Sequence, residues 1–91
     1  MRAKQLDSRA LLALCDAVVR LAEPFASRVI VNDRVDIAAM SGAAGVHVGQ
    51  EDLPPAAARR LLGTSAVVGL STHTPEQIAA AAGEPISYLA I

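Results

Sequence analysis

Aromatic residues and cysteine are scarce in this sequence. Its 91 residues include one Tyr, one Phe and no Trp, although 53% of them are hydrophobic. The core must therefore be built from Ala, Val, Leu and Ile, and the chain is large enough for one modest core and too apolar to be disordered. The single cysteine, Cys15, excludes an internal disulfide. No histidine lies near it in the sequence, so we expect a buried thiol and not a nucleophile.

Excess charge of either sign and long hydrophobic runs are also missing. Eight Lys and Arg residues against nine Asp and Glu residues give a net charge of −1, and the basic residues are scattered, unlike the basic surface of a nucleic-acid-binding protein. No apolar run approaches the roughly 18 residues of a membrane span. Residues 1–4 are partly basic, but polar residues follow where a signal peptide has its apolar segment. We expect a soluble cytoplasmic protein with neither nucleic-acid nor membrane partners.

Short apolar strands recur along the chain and alternate with helical patterns. The predicted strands are VIVN (29–32), GVHV (45–48), AVVGL (66–70) and ISYLAI (86–91). A strand followed by a helix every ~20 residues predicts parallel strands with helical crossovers, and hence an α/β fold. Each strand is apolar on consecutive residues, as expected of a parallel strand covered on both faces.

Capping and stop signals mark the predicted helices. The first helix has apolar residues at helical spacing, Asp7 or Ser8 as its N-cap and Pro24 as its terminator. The last begins with Thr74 as N-cap and has Gln77 at the capping-box position. The remaining signals are Gly42 and Gly63 as helix stops, prolines 54 and 55 at the start of the third helix, and Pro75 at the start of the fourth.

Two architectures fit this alternation: an open doubly wound sheet, or part of a (β/α)₈ barrel. A full barrel takes ~200 residues or more, so 91 residues supply about half of one. No strand precedes the first helix, and the apolar strand at 86–91 has no helix after it. Because such an edge is an aggregation hazard in an independent domain, we expect residues 1–91 to form a single partial-barrel domain of a longer protein.

Polar residues gather where the predicted strands end, which is where parallel α/β folds bind their ligands. Each also has a purely structural interpretation: Asp33 as a helix cap, Asp52 as part of a solvated loop, His47 as a satisfied rim residue and Ser71 as a turn residue. Their concentration on one rim favours a phosphate or metal site. The full set is Arg2, Lys4, Asn32, Asp33, Arg34, His47, Gln50, Glu51, Asp52, Ser71, Thr72, His73 and Thr74.

The residue types narrow the chemistry of this site. Asp33 and Asp52 offer hard oxygen ligands, and no Cys or His pair has zinc spacing, so Mg²⁺ is the expected metal. Arg2, Lys4 and the Ser71 hydroxyl are suited to anions. Together they predict a Mg²⁺–diphosphate substrate.

Four segments, RAK, VNDRVDIA, GAAGVHVGQEDLPPAAARRLLG and VVGLSTHTPEQIAAAA, resemble the thiamine phosphate synthase family in order and spacing. The resemblance covers nearly the whole chain and implies about half of a (β/α)₈ barrel, from the end of its second strand to its fifth. It implies a transferase of thiamine biosynthesis that joins hydroxymethylpyrimidine diphosphate to a thiazole phosphate and releases diphosphate, with Mg²⁺ as cofactor. Diphosphate is expected to leave before the thiazole nitrogen attacks, so no general base is assigned.

The resemblance also implies roles by matched position. Arg2 and Lys4 would grip the diphosphate, with Asn32 as a further diphosphate ligand; Asp33 and Asp52 would bind Mg²⁺. The matches also imply that Ser71 contacts the pyrimidine diphosphate and that His47 lies close to it. Glu51 and His73 receive no role.

The family pattern extends beyond both ends of the chain. A glutamine before the matched arginine, the later glycine- and threonine-rich loop, a substrate-binding lysine and the thiazole-phosphate loops have no counterpart among the 91 residues. We therefore expect the chain by itself to be inactive and of low stability, with open sheet edges that allow self-association. The alternatives are a thiazole tautomerase-like protein, which acts on thiazole phosphate alone, and a non-catalytic phosphate-binding or assembly module.

Overall fold

Helices and strands alternate along the chain in the computed structural model, which describes residues 7–25 and 28–91. The elements in order are α1 (Ser8–Ala22), β1 (Ile30–Asn32), α2 (Val35–Ser41), β2 (Gly45–Val48), α3 (Pro55–Leu62), β3 (Val67–Ser71), α4 (Pro75–Ala81) and β4 (Tyr88–Ala90), with a 3₁₀ turn at Glu23–Phe25 after α1. The strands predicted from the sequence agree with these bounds to within two residues at each end.

Two helix starts show why the local signals were informative. The Asp7 carboxylate accepts a hydrogen bond of 2.8 Å from the Ala10 N–H, and the Thr74 hydroxyl accepts one of 3.1 Å from the Gln77 N–H. Both bonds satisfy N–H groups that the first helical turn leaves without a partner. The Gln77 side chain differs from the predicted capping box, because its oxygen accepts from the N–H of His73 at 2.7 Å, one residue before the N-cap.

The α2 helix ends at a glycine in the left-handed conformation. Gly42 has φ of 73°, and its N–H donates to the carbonyl of Ala38. A side chain at this φ would be strained, so glycine is the residue suited to this stop. Gly63 closes α3 in the predicted place, and α1 ends two residues before Pro24.

The four strands form one parallel sheet in chain order, β1-β2-β3-β4. This uninterrupted order is that of a barrel segment, whereas a doubly wound sheet reverses direction at a switch point. The partial α/β barrel predicted from the sequence is therefore confirmed.

The register places four residues in one row across the sheet. Asn32 lies opposite His47, His47 opposite Gly69, and Gly69 opposite Tyr88. Residues in register on parallel strands point to the same face. The next residue on each strand points to the other face, so the sheet separates a polar row from its apolar neighbours.

The hydrophobic core lies on the face opposite this row. Val46 and Val48 are fully buried there, under α2 and α3, while α1 packs on α2. Cys15 is also fully buried, and this burial raises the pKa of its thiol, so the predicted buried thiol is confirmed. The other core members are Leu11, Val31, Val35, Ile37, Ala38, Ala58, Val68, Leu70 and Ala81.

The expectation that the strands are covered on both faces holds for one face of the described sheet. The second face carries half-buried polar side chains, including His47 and Ser71, and lines a cavity. The apolar runs looked continuous because Ile30 and Val67, at the other ends of β1 and β3, place apolar side chains on this same face. None of the described helices combines the length and hydrophobicity needed to span a membrane.

Candidate functional site

A cavity of about 850 Å³ lies at the carboxyl ends of the strands. Five of the seven residues predicted for the site line it, coming from β1, β2, β3 and the turns that follow β1 and β2. Arg2 and Lys4 lie outside the described residues. The lining residues are Ile30, Asn32, Asp33, His47, Gly49, Gln50, Glu51, Asp52, Ser71, His73, Gln77 and Tyr88.

Asp33 sits at the bend between β1 and α2 in a left-handed conformation, with φ of 70°. Its N–H donates to the carbonyl of His47 at 2.8 Å, and the N–H of Arg34 donates to the carbonyl of Asn32 at 2.8 Å. Arg34, not Asp33, is the N-cap residue of α2, so the interpretation of Asp33 as a helix cap is wrong. Backbone strain of this kind concentrates at ligand-binding sites.

Asp52 is held by the turn that follows β2. Its Oδ2 accepts a hydrogen bond of 2.7 Å from the N–H of Gly49, and its own N–H donates to the Gly49 carbonyl at 3.2 Å. The side chain is half-buried. A carboxylate has about four lone-pair positions, so the bond from Gly49 fixes the orientation of Asp52 and leaves capacity for a cation.

Gln50 and Glu51, in the same turn, differ in their contacts. The Gln50 amide nitrogen donates to the carbonyl of Ser71 at 2.8 Å, which links the turn after β2 to the end of β3. Glu51 is exposed at the cavity margin. The hydrogen bond from Gln50 to Ser71 was not predicted, because it depends on the register in which β2 pairs with β3.

His47 lies at the centre of a hydrogen-bonded chain across the cavity floor. Its Nε2 is 2.6 Å from the Ser71 hydroxyl oxygen, and its Nδ1 is 2.8 Å from the Tyr88 hydroxyl oxygen. The His47 and Tyr88 rings stack with centroids 5.5 Å apart. Tyr88 is the site residue that the sequence reasoning missed. The available signal was Gly69, since a glycine inside a strand often marks the close approach of another group.

The carboxylates of the cavity fit a metal that is shared with a substrate. Within residues 7–25 and 28–91, no group of three or more His, Cys, Asp or Glu side chains is arranged to hold a metal ion. Asp33 and Asp52 nevertheless line the same cavity. Mg²⁺ is commonly bound by one or two carboxylates and completed by phosphate oxygens. The donor set therefore suits Mg²⁺ bound together with a phosphorylated ligand.

Arg34 follows the VND stretch but does not line the cavity. Its guanidinium donates to both oxygens of Asp36, from Nε at 3.0 Å and from Nη2 at 2.8 Å, and to the Ser8 hydroxyl at 2.9 Å. These hydrogen bonds lower the pKa of Asp36. Arg34 thus links α2 to the start of α1 and is not a ligand of the site.

Comparison with known proteins places the chain in a family. A family model described as thiamine monophosphate synthase matches residues 1–91. The chain belongs to this family. Its relatives include a putative thiamine-phosphate synthase from Geobacter sulfurreducens, 44% identical over 89 residues, which are 98% of this chain and 42% of the relative. The thiamine-phosphate synthase of Thermus thermophilus is 44% identical over 91 residues, all of this chain and 43% of the relative.

The fold of the thiamine monophosphate synthase family is also found in a solved structure. The thiamine phosphate pyrophosphorylase from Pyrococcus furiosus superposes with a TM-score of 0.87 at 28% sequence identity, over 98% of this chain and 44% of that protein. The chain therefore spans less than half the length of the relatives that it matches. The family resemblance stated from the sequence motifs is confirmed.

Proposed function

We propose that this chain forms the pyrimidine-diphosphate half of a thiamine phosphate synthase site. The enzyme would be a transferase that joins hydroxymethylpyrimidine diphosphate to hydroxyethylthiazole phosphate, giving thiamine phosphate and diphosphate. The observation that carries the proposal is the meeting of Asn32, Asp33, His47, Asp52 and Ser71 in one cavity. These are the residues that match the family pattern, and they reach the cavity from three different strands and the turns after them.

Asp33 and Asp52 are the residues that would hold Mg²⁺. Bound there with the substrate, Mg²⁺ would supply positive charge to the departing diphosphate. Both carboxylates are set by the backbone, Asp33 by the bend after β1 and Asp52 by the bond from Gly49. A site formed before the ligand arrives avoids reorganisation during the reaction.

The remaining side chains are suited to the organic and phosphate parts of the substrate. The Asn32 amide and the Ser71 hydroxyl can donate hydrogen bonds to phosphate oxygens, and His47, which lines the same cavity, would lie close to the pyrimidine. Arg2 and Lys4 are the proposed cationic ligands of the diphosphate. In the proposed reaction the carbon–oxygen bond to diphosphate breaks first, and the thiazole nitrogen then forms the new carbon–nitrogen bond. The protein is needed to stabilise the leaving charge and not to remove a proton.

The pair of carboxylates favours the synthase over the tautomerase alternative, because a reaction on thiazole phosphate alone has no diphosphate to neutralise. The thiazole phosphate site would come from the part of the relatives that lies outside the matched segment. We therefore expect the 91-residue chain by itself to bind Mg²⁺ and diphosphate but to form no thiamine phosphate at an enzymatic rate.

A segment exchange tests the proposal. Residues 1–91 replace the matched 43% of the Thermus thermophilus enzyme, and thiamine phosphate formation is measured. We expect activity within about tenfold of the parent enzyme, and a loss of at least ~10²-fold in Asp33→Asn or Asp52→Asn, the usual scale for removing charge stabilisation. Asp36→Asn, an equal change of charge on α2 outside the cavity, serves as the control.

Two results of the segment exchange would contradict the proposed function. One is a chimera that unfolds cooperatively, and is therefore folded, but forms no product. The other is full activity in both cavity variants. Calorimetric titration of the 91-residue chain with diphosphate and Mg²⁺ gives a second measurement: heat of binding that disappears in Asp52→Asn supports the site even where the chimera does not fold.

A further inference from the structure

Tyr88 and His47 make contact across an intervening strand. His47 lies on β2 and Tyr88 on β4, and the residue between them in the row is Gly69 on β3. Neighbouring strands are about 4.8 Å apart, so two strand spacings separate the two backbones. The Tyr88 side chain is long enough to cover that distance only by lying over position 69.

The absence of a side chain at Gly69 makes this contact feasible. A Cβ at position 69 would overlap the Cζ and hydroxyl of Tyr88. Gly69 therefore provides the space through which the Tyr88 hydroxyl reaches His47 Nδ1 at 2.8 Å. Tyr88 is 40% exposed and lines the cavity, so its position reflects this contact more than burial in the core.

The direction of the hydrogen bonds determines what Ser71 can offer a ligand. A neutral imidazole has one N–H and one accepting nitrogen. If Nε2 accepts, the Ser71 hydroxyl gives its proton to His47 and presents only lone pairs to the cavity. If Nε2 carries the proton, it donates to the Ser71 oxygen, and the Ser71 proton is free to point at an anion. The second arrangement requires Nδ1 to accept, and the Tyr88 hydroxyl is the donor placed there.

We propose that Tyr88 is a positioning residue: its hydroxyl donates to His47 Nδ1, which holds His47 in the Nε2–H tautomer and keeps the Ser71 proton available for a phosphate oxygen of the substrate. The part that concerns the substrate rests on the proposed function, whereas the tautomer does not. Tyr88 itself touches no phosphate in this arrangement. Its effect reaches the ligand through His47 and Ser71.

Nitrogen NMR of the imidazoles tests the tautomer directly in the 91-residue chain. The chain has two histidines, and His73→Gln assigns the His47 signals. At a pH where the imidazole is neutral, we expect His47 to carry its proton on Nε2 and Nδ1 to show the shift of a hydrogen-bonded acceptor. In Tyr88→Phe, which keeps the ring, the Nδ1 resonance should move. A proton on Nδ1 in the wild-type chain, or an unchanged Nδ1 resonance in Tyr88→Phe, would overturn the proposal.

A double-mutant cycle tests the connection to Ser71, with inorganic diphosphate and Mg²⁺ as the probe. We expect Ser71→Ala to weaken diphosphate binding about tenfold, as for a hydrogen bond to a charged group, and Tyr88→Phe to weaken it severalfold. Because Tyr88 acts through Ser71, the double variant should bind no more weakly than Ser71→Ala. Additive losses would show that Tyr88 acts independently of Ser71.

Failure of the proposed function and failure of the tautomer assignment give different experimental results. A wild-type chain that binds no diphosphate contradicts the proposed function, and the NMR result then decides the Tyr88–His47 arrangement by itself. A chain that binds diphosphate but has His47 in the other tautomer contradicts the inference and leaves the proposed function standing.

Discussion

Asp33 occupies a backbone conformation that most side chains avoid, at the position proposed to bind a metal. Its φ of 70° brings its N–H to the His47 carbonyl and turns the chain from β1 into α2. Aspartate tolerates this region better than most residues, although at a cost that the rest of the fold must offset. The backbone conformation of Asp33 thus lowers the stability of the fold locally, at a residue that is proposed to bind Mg²⁺.

A pair of substitutions isolates this backbone cost. Asp33→Gly and Asp33→Ala both remove the carboxylate, but only the alanine keeps a Cβ at positive φ. We expect the glycine variant to have the higher free energy of unfolding, by about 1 kcal/mol, as measured by urea denaturation. Equal values for the two variants would mean that residue 33 is not left-handed in solution.

The ion pair of Arg34 and Asp36 predicts a pH dependence. Hydrogen bonding to Arg34 lowers the pKa of Asp36, so the stabilisation is present above the unfolded-state pKa of about 3.9. It is lost as the pH falls through the lower folded-state value. The side chains are 37% and 57% exposed, so the contribution is below about 1 kcal/mol.

Urea denaturation of Asp36→Asn at two pH values measures this contribution. At pH 7 the variant should be slightly less stable than the wild-type chain. At a pH below the lowered folded-state pKa of Asp36, where the wild-type carboxyl is uncharged like the asparagine amide, the difference should shrink towards zero. Glu23→Gln, at an exposed position of the 3₁₀ turn, corrects for the loss of one negative charge. A difference that grows at low pH would contradict the assigned pair.

Arg59 connects α3 to the loops that precede β3 and β4, at the end of the sheet remote from the cavity. From α3 its guanidinium donates to the Pro85 carbonyl at 2.9 and 3.2 Å, to the Ser87 hydroxyl at 3.3 Å, and to the Ala66 carbonyl. The loop before β3 and the loop before β4 are thereby fixed to the same side chain. The planar fork of arginine suits several acceptors at once, and lysine cannot reproduce it.

Replacing Arg59 should therefore destabilise the fold. We expect Arg59→Ala to lower the free energy of unfolding by about 1–3 kcal/mol, since several carbonyls lose their donor, and Arg59→Lys to recover little of it. Arg60→Ala, at the neighbouring exposed position, should stay within about 0.5 kcal/mol of the wild-type chain. Equal effects at the two positions would argue against the Arg59 contacts.

Signals that act within a few residues were predictable from the sequence, and contacts between elements were not. Thr74 and Gly42 performed the predicted roles because an N-cap or a C-cap depends on its own turn. The bond between His47 and Tyr88 joins residues 41 positions apart and depends on the register of three strands. The convergence of Asp33 and Asp52 was predictable in outline, because parallel strands bring their carboxyl ends to one rim.

At the scale of the whole molecule, the described sheet has two edge strands. β1 and β4 each pair on one side, and the apolar side chains of Leu89 in β4, Ile91 after it and Ile78 in α4 are exposed. We expect the 91-residue chain to unfold below about 65 °C, the upper part of the mesophilic range, and to self-associate as its concentration rises. Circular dichroism melts and size-exclusion chromatography over a concentration series measure both. A monomeric chain with a cooperative transition above ~65 °C would contradict this expectation.

The strand order has a consequence for how the protein is made. Within the described sheet, every strand pairs with the strand that precedes or follows it in the chain, so each strand and helix can dock on its predecessor as it leaves the ribosome, without waiting for a distant segment. The cavity would then be assembled in the same sequence. Asp33 would take its place early, Asp52 and Ser71 later, and the Tyr88 hydroxyl would arrive last, once β4 has been synthesised.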